Sequence, residues 1–341
     1  MSLASAALFG VSAPFAKLLL PSASPVMVAG LLYLGGGLGL SLLARATRPR
    51  GGSTEAPLGR RDLPVLGAIV VLGGIVAPVL MLVGLARVSG VVGSLMLNLE
   101  TPFTILVAVL LFREHLGRRG VACVALVLAG AAVLGARTGE VRVDLGGVAA
   151  LAGACACWAL DNNLTQRLSG KDPVAITRVK CLVAGAANLG VAFAIGDSPP
   201  PSAILAGALA LGFCAYGVGL VLATRAMRAL GAARHAAFFA TAPFVGALAA
   251  LPILGEVPAA TDLAGLLLMA AGVAALLSER HGHTHAHEEL EHDHLHGHDD
   301  HHAHVHAPGT PTTTPHSHPH RHAPLTHTHA HASDLHHRHT H

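Results

Sequence analysis

The chain has 341 residues, 52% of them hydrophobic, 12% charged and 4% aromatic, with a formal charge of +3 and a mean hydropathy of +0.57. A soluble domain carries about 25% charged residues, so this composition cannot furnish a water-facing surface and points to an all-α integral membrane protein. The average hides a break at Arg280/His281: residues 1–280 hold 20 Lys and Arg against 12 Asp and Glu, whereas 281–341 hold 2 against 7, with 23 of the 25 histidines.

A membrane helix needs about 20 apolar residues to cross ~30 Å of hydrocarbon. Breaks at charges and at Pro/Gly clusters predict ten such spans, at 3–20, 25–44, 63–85, 91–112, 120–136, 147–166, 173–195, 202–224, 232–254 and 262–278. The first charge is Lys17, so the opening span lacks the basic start of a signal peptide and reads as retained. The longest connection, Arg45–Asp62, is rich in Gly, Pro and Arg and reads as aqueous. Cys123, Cys155, Cys157, Cys181 and Cys214 all fall inside spans. A helix turns Cys155 and Cys157 about 200° apart, which suits packing better than metal binding, and no disulfide framework is expected.

Short cytoplasmic loops are enriched in Lys and Arg. With the N-terminus inside, fourteen basic residues face the cytoplasm (Arg45, Arg48, Arg50, Arg60, Arg61, Arg113, Arg118, Arg119, Arg167, Lys171, Arg225, Arg228, Arg234 and Arg280). Three face out: Arg87, Arg137 and Arg142. Both termini are therefore expected in the cytoplasm of a multi-pass protein of the inner or plasma membrane. The basic residues cap apolar runs instead of lining a face with aromatics, which excludes nucleic acid as a partner. No phosphate loop, dinucleotide fingerprint, nucleophile elbow or zinc-protease helix is present, so no enzyme is expected.

The chain repeats itself. Gly90 and its sequel (GVVGSLMLNLETPFTILVAVLLFREHL) align with Gly231 and its sequel (GAARHAAFFATAPFVGALAALPILGEVP) at an offset of 141, which matches Pro102 to Pro243 and Arg87 to Arg228. Each copy holds five spans, an odd number, so the second must cross the bilayer inverted. Inverted repeats of this kind enclose the central sites of many secondary transporters. The expected organisation is a first repeat over 1–138, a second over 145–278 and a tail over 279–341.

These residues resemble the EamA-type repeat of the drug/metabolite transporter superfamily. The resemblance is carried by Asn98-Leu-Glu-Thr-Pro102-Phe…Phe112-Arg-Glu114, by Thr241-Ala-Pro243-Phe…Leu254-Gly-Glu256, by Ala129-Gly130, and by Phe9-Gly10-Val-Ser-Ala-Pro14-Phe-Ala-Lys17. Cys157-Trp158-Ala-Leu-Asp161-Asn162-Asn163-Leu-Thr is similar to a subgroup signature. The likeness covers about residues 1–278. It implies ten helices, a plasma-membrane location and, most often, export of small solutes, without fixing which.

Ionisable groups in a membrane core are costly and mark pathways or pairs. Glu100 falls roughly 14 Å into span 4 at 1.5 Å per residue, beside Asn98, Thr101 and Pro102. Pro102 frees the Asn98 carbonyl and Pro243, beside Thr241, frees that of Phe239; paired breaks in inverted halves point to a binding site. Asp161, Asn162 and Asn163 lie in span 6 at the depth of Lys180 in span 7, where Asp161 and Lys180 are placed to pair. Lys17, near the outer end of span 1, and Tyr216 complete the candidate pocket. His235 reads as a surface group near the cytoplasmic face, and Arg178 as one that reaches back to the interface.

The tail repeats His-x-His: His281, His283, His285, His287, then His292, His294, His296, His298, then His301, His302, His304, His306. It has no apolar period, so disorder is expected. Imidazole suits Zn, Ni, Co and Cu, and a flexible chain can wrap several such nitrogens round an ion. No cofactor is required for the spans themselves. Three readings follow: a secondary exporter of a transition-metal ion, one of amino acids, drugs or other small metabolites with the tail as a metal buffer, and a membrane-anchored buffer or sensor that transports nothing. The protein is expected as a monomer or homodimer.

Overall fold

The computed structural model describes residues 1–46, 55–112, 118–135, 144–230 and 232–278, and the backbone of four short tail segments. Among its described residues the body is built of helices joined by short loops. Its spans are α1 (Ser2–Leu19), α2 (Pro25–Ala46), α3 (Arg60–Leu85), α4 (Gly90–Met96 and Glu100–Phe112, joined by a 3-10 turn at Leu97–Leu99) and α5 (Arg118–Gly135). The second set is α6 (Leu145–Leu168), α7 (Pro173–Ala194), α8 (Ser202–Leu230), α9 (Ala232–Phe239 and Ala242–Leu254) and α10 (Ala260–Leu277). Among the described residues nine of these are long and apolar enough to cross a membrane; α5, with 18 residues, takes the place of the predicted fifth. The largest difference from the expected bounds is α8, which continues to Leu230 because Arg225 points out while Ala226 and Met227 stay buried.

The contacts show that the second five-helix unit is inverted. Helix α2 packs along α7, with Gly30 against Leu189 and Gly37 against Leu182, so the two run antiparallel. Helix α5 packs along α10 in the same sense, Gly130 meeting Gly265 and Gly272 meeting Cys123. Conversely α1 runs parallel to α9, through Ser2–His235 and Gly10–Ala242, and α4 runs parallel to α6, through Cys155–Leu97 and Asn162–Glu100. Each pairing maps onto its counterpart when the two units are exchanged.

Lipid offers no hydrophobic drive between helices, so close backbone approach at small residues holds such bundles together. Gly10 shows this at the centre: a Cβ there would run into the Ala242 carbonyl, at the break in α9. Large apolar side chains such as Leu42, Leu110, Leu248 and Leu267 are exposed on the outer faces, as a bilayer solvent allows.

The sequence reading missed a second repeated irregularity. Helix α3 widens into a π-helical turn at Val70–Val76, and α8 does so at Gly212–Val218, 142 residues on. Such turns loosen the backbone ladder and recur at functional sites. The Gly73 carbonyl accepts from Tyr33 Oη (2.5 Å) and Trp158 Nε1 (3.2 Å), and the Gly74 carbonyl from Asn188 Nδ2 (3.3 Å).

In the tail the described backbone is extended, Gly282–His287 pairing antiparallel with Leu325–Ala330 and Leu290–His296 with His316–His322. Its sequence alternates His with small or charged residues, and isolated two-stranded pairs are marginal in water. Of the candidate metal ligands, His281, His298, His301, His302, His304 and His306 lie outside the described residues, and for His283, His285, His287, His292, His294 and His296 the backbone alone is described.

Candidate functional site

A cavity of about 1040 Å³, counted with its open mouth, lies between the two five-helix units. One stripe of α4 supplies Ser94, Leu97, Thr101 and Thr104, at the spacing of a single helix face, with Glu100 beside it. Trp158, Asp161, Asn162 and Thr165 come from α6, and Thr177 and Lys180 from α7. The other wall is Phe9, Gly10 and Ala13 of α1, Thr224 and Met227 of α8, and His235, Phe239, Pro243 and Gly246 of α9.

The breaks in α4 and α9 both border this space. In α4 the 3-10 turn Leu97–Leu99 precedes Glu100. In α9 the helix stops at Phe239 and resumes at Ala242, with Pro243 in its first turn. Proline fits a first turn, where its missing N–H has no partner to lose. The result at Glu100 is a carboxylate 9% exposed whose Oε1 accepts from Asn162 Nδ2 at 2.7 Å.

Asp161 and Lys180 meet across α6 and α7, with Nζ 2.5 Å from Oδ2 and both residues buried. Thr165 Oγ1 lies 3.5 Å from Asp161 Oδ1. Gly73 on the π-helical turn of α3 leaves room for this pair, because a Cβ there would strike the Asp161 carboxylate. Burying two charges costs several kcal/mol per ion unless the partners are close and hydrogen-bonded, and this pair satisfies that geometry.

Of the sequence candidates, Glu100, Thr101, Asp161, Asn162, Lys180 and Pro243 line the cavity. The others sit behind it. Asn98 is fully buried with Nδ2 toward Met269 Sδ (3.8 Å), and Asn163 donates to the Ala159 and Thr104 carbonyls at 2.8 and 3.3 Å. Thr241 turns back on its own chain, Oγ1 donating to the Phe238 carbonyl at 2.7 Å. Tyr216 is buried behind Phe9 and Tyr33, at ring centroid distances of 5.9 and 5.1 Å. Pro102 shapes α4 without lining the space. Lys17 is farther away, donating from Nζ to the Val88 carbonyl, next to the N-terminus of α4.

Two kinds of residue escaped the sequence reading. His235 is not a surface group: it is 4% exposed, lines the cavity and shares a 3.2 Å hydrogen bond with Ser2 Oγ. Its burial comes from the N-terminal half of α9 packing along α1. The second is an aromatic wall of Phe9, Tyr33, Trp158 and Phe239, in which Phe9 stands edge-on to Trp158 at 5.5 Å and 82° and lies 5.4 Å from Phe239. Its signal was present, since Trp and Tyr normally gather at membrane interfaces, yet the chain's single Trp and both Tyr sit inside spans.

Contacts between the two units lie at both ends of the helices. Glu256, just after α9, accepts from the Gly90 and Val91 amides at the start of α4, at 2.5 and 2.8 Å. At the opposite end Arg228 binds Glu55 at 2.8 Å and the Ser169 and Lys171 carbonyls at 2.7 and 2.6 Å. Its repeat counterpart Arg87 meets Asp144 at 3.7 Å with both side chains about half exposed (51% and 44%), an arrangement worth little in water.

Two inverted five-helix units around a charged, aromatic-lined cavity define a polytopic carrier-like membrane protein. The chain matches the model of the EamA-like transporter family twice, over residues 1–136 and 145–278. It belongs to that family. It is 31% identical over 263 residues to an uncharacterized transporter of Methanothermobacter thermautotrophicus, covering 73% of this chain and 76% of that protein. A solved crystal structure with 20% identity superposes with a TM-score of 0.61 over 80% of this chain and 94% of the other, which supports the fold.

Proposed function

We propose that the protein is a secondary-active exporter of a small organic solute, which occupies the central cavity while the two repeats tilt to expose it to either face. The observation that carries this reading is the placement of Glu100 and the Asp161–Lys180 pair in a cavity bounded by both helix breaks. On this reading both termini lie on the cytoplasmic side of the cell membrane, the orientation the loop charges favour. On that orientation the cavity, whose lining reaches Thr177, Met227 and His235, faces inward, while Glu256 and Lys17 hold the outer end shut. No catalytic step is involved.

Glu100 couples transport to protons, because solute and proton compete for one carboxylate within the membrane. The histidine tail binds Zn, Ni, Co or Cu as a cytoplasmic buffer beside the carrier, and no metal is needed in the spans. A transition-metal cargo fits the lining less well, since among the described residues no three His, Cys, Asp or Glu side chains converge. Counterflow in proteoliposomes tests the reading with radiolabelled amines, amino acids and nickel. Exchange of an organic solute that is lost in Glu100→Gln is expected. Exchange of nickel alone, or of nothing, overturns it.

A further inference from the structure

We infer that the cavity selects organic monocations, amines carrying an apolar or aromatic group, over zwitterions and anions. This rests on the transport reading and deepens it. The argument is a count of charges. Lys180, the lysine of the cavity wall, has its ammonium 2.5 Å from the Asp161 carboxylate. The two cancel. Glu100 forms no salt bridge among the described residues: Asn162, a neutral amide, donates to Oε1, and Lys180 is bonded to Asp161 instead. A solute with an ammonium supplies the missing partner. A zwitterion brings a carboxylate as well, and if Lys180 turned to meet it Asp161 would be left as an uncompensated buried charge.

The rest of the wall agrees. The ring faces of aromatic residues attract cations and accept apolar bodies. Trp158 and Tyr33 spend their polar ends on the Gly73 carbonyl, so what these two can offer a solute is ring surface. One turn from Glu100 on α4, the hydroxyl of Thr104 is buried with no hydrogen-bond partner among the described residues, which provides a neutral site for a further N–H group of an ammonium. A site for amino acids also needs a partner for the carboxylate, and the lysine of this wall is already bound to Asp161.

Trp158 is the chain's single tryptophan and stands in the wall, so its fluorescence reports occupancy directly. The full chain in lipid nanodiscs is titrated with phenethylamine, phenylalanine and 3-phenylpropionate, which share a ring and spacer and differ in charge. Phenethylamine is expected to give a saturable change at concentrations at least tenfold below phenylalanine, with 3-phenylpropionate weaker still. Glu100→Gln, which keeps the Asn162 hydrogen bond possible, should weaken phenethylamine at least tenfold, and Glu100→Asp should recover part of it. Phenylalanine binding as tightly as phenethylamine, or Glu100→Gln binding it unchanged, overturns the assignment. If phenethylamine leaves Trp158 unmoved while the same protein in proteoliposomes exchanges a neutral or anionic solute, transport stands and the cation assignment falls. If no ligand binds and nothing exchanges, the transport reading falls with it.

Discussion

In α4 the break before Pro102 brings Glu100 to the cavity; in α9 the break before Pro243 brings Thr241 to the matching position, 141 residues on, with its hydroxyl turned back onto the Phe238 carbonyl. The backbone devices are duplicated and the side chains are not. The π-helical turns at Val70–Val76 and Gly212–Val218 repeat the contrast: the first anchors Tyr33 and Trp158 through Gly73, whereas in the second the Tyr216 carbonyl faces Cys181 Sγ at 3.4 Å. The first unit supplies the acid, the second supplies the ion pair, and the site has no two-fold axis although the fold does. Repetition sets the backbone, and divergence sets the cavity lining.

The largest effect expected from breaking this arrangement is on stability. Lys180→Met leaves Asp161 buried and unpaired, which costs about 3–5 kcal/mol. The double variant Asp161→Asn/Lys180→Met removes both charges and should recover most of that loss, since residues in contact couple strongly. Thermal melts of purified single and double variants in one detergent check this. A double variant as unstable as the single would mean that the pair does more than neutralise itself.

Next in size is the asymmetry of the acid. Glu100→Gln should lower counterflow by about tenfold or more, roughly 1.4 kcal/mol in barrier, with little change in melting. Adding Thr241→Glu to that variant moves the carboxylate to the symmetric position of the second repeat. It should not restore transport, because the Thr241 side chain is outside the cavity lining. Rescue would show that either repeat can carry the acid and that the difference between them is incidental.

How much of this the sequence contained depends on the kind of feature. Span positions, the offset of 141 and the proline pair were legible because lipid imposes long apolar runs and repeats preserve spacing. The depth of Asp161 and Lys180 followed from the helical rise, and the two do meet at 2.5 Å. The π-helical turns were not legible: Val-Val-Leu-Gly-Gly-Ile-Val is an ordinary apolar run, and the wide turn depends on Tyr33, Trp158 and Asn188 reaching its carbonyls from other helices. His235 was misplaced for a similar reason, since its burial is a property of α1 as much as of α9. Tertiary partners decided both.

A smaller effect concerns the two ends of the cavity. Glu256 holds the start of α4 with a carboxylate that accepts from two amides, and each hydrogen bond to a charged group is worth about 1.5–3 kcal/mol. Glu256→Gln keeps one acceptor and discards the charge, so the closed end should open more often, by about tenfold. The readout is the labelling rate of Ser94→Cys, in a background free of other cysteines, by a membrane-impermeant thiol reagent applied to that end. Unchanged labelling would show that Glu256 does not hold that end shut.

The smallest effect on transport is expected from the tail, and the comparison there is between body and appendage. Gly10, Gly130 and Gly265 bind the two units together by backbone approach within residues 1–278. The tail sequence offers such a body little apolar surface, being histidine interleaved with small and charged residues. Removing 281–341 should therefore leave counterflow of an amine by the purified carrier unchanged. In cells the same truncation should lower tolerance of nickel, cobalt or zinc, because neutral imidazoles at high local density hold such ions near the membrane. The two measurements separate the roles: a truncated carrier that loses amine exchange would tie the histidines to the moving parts, and equal metal tolerance of truncated and full-length strains would remove the buffer.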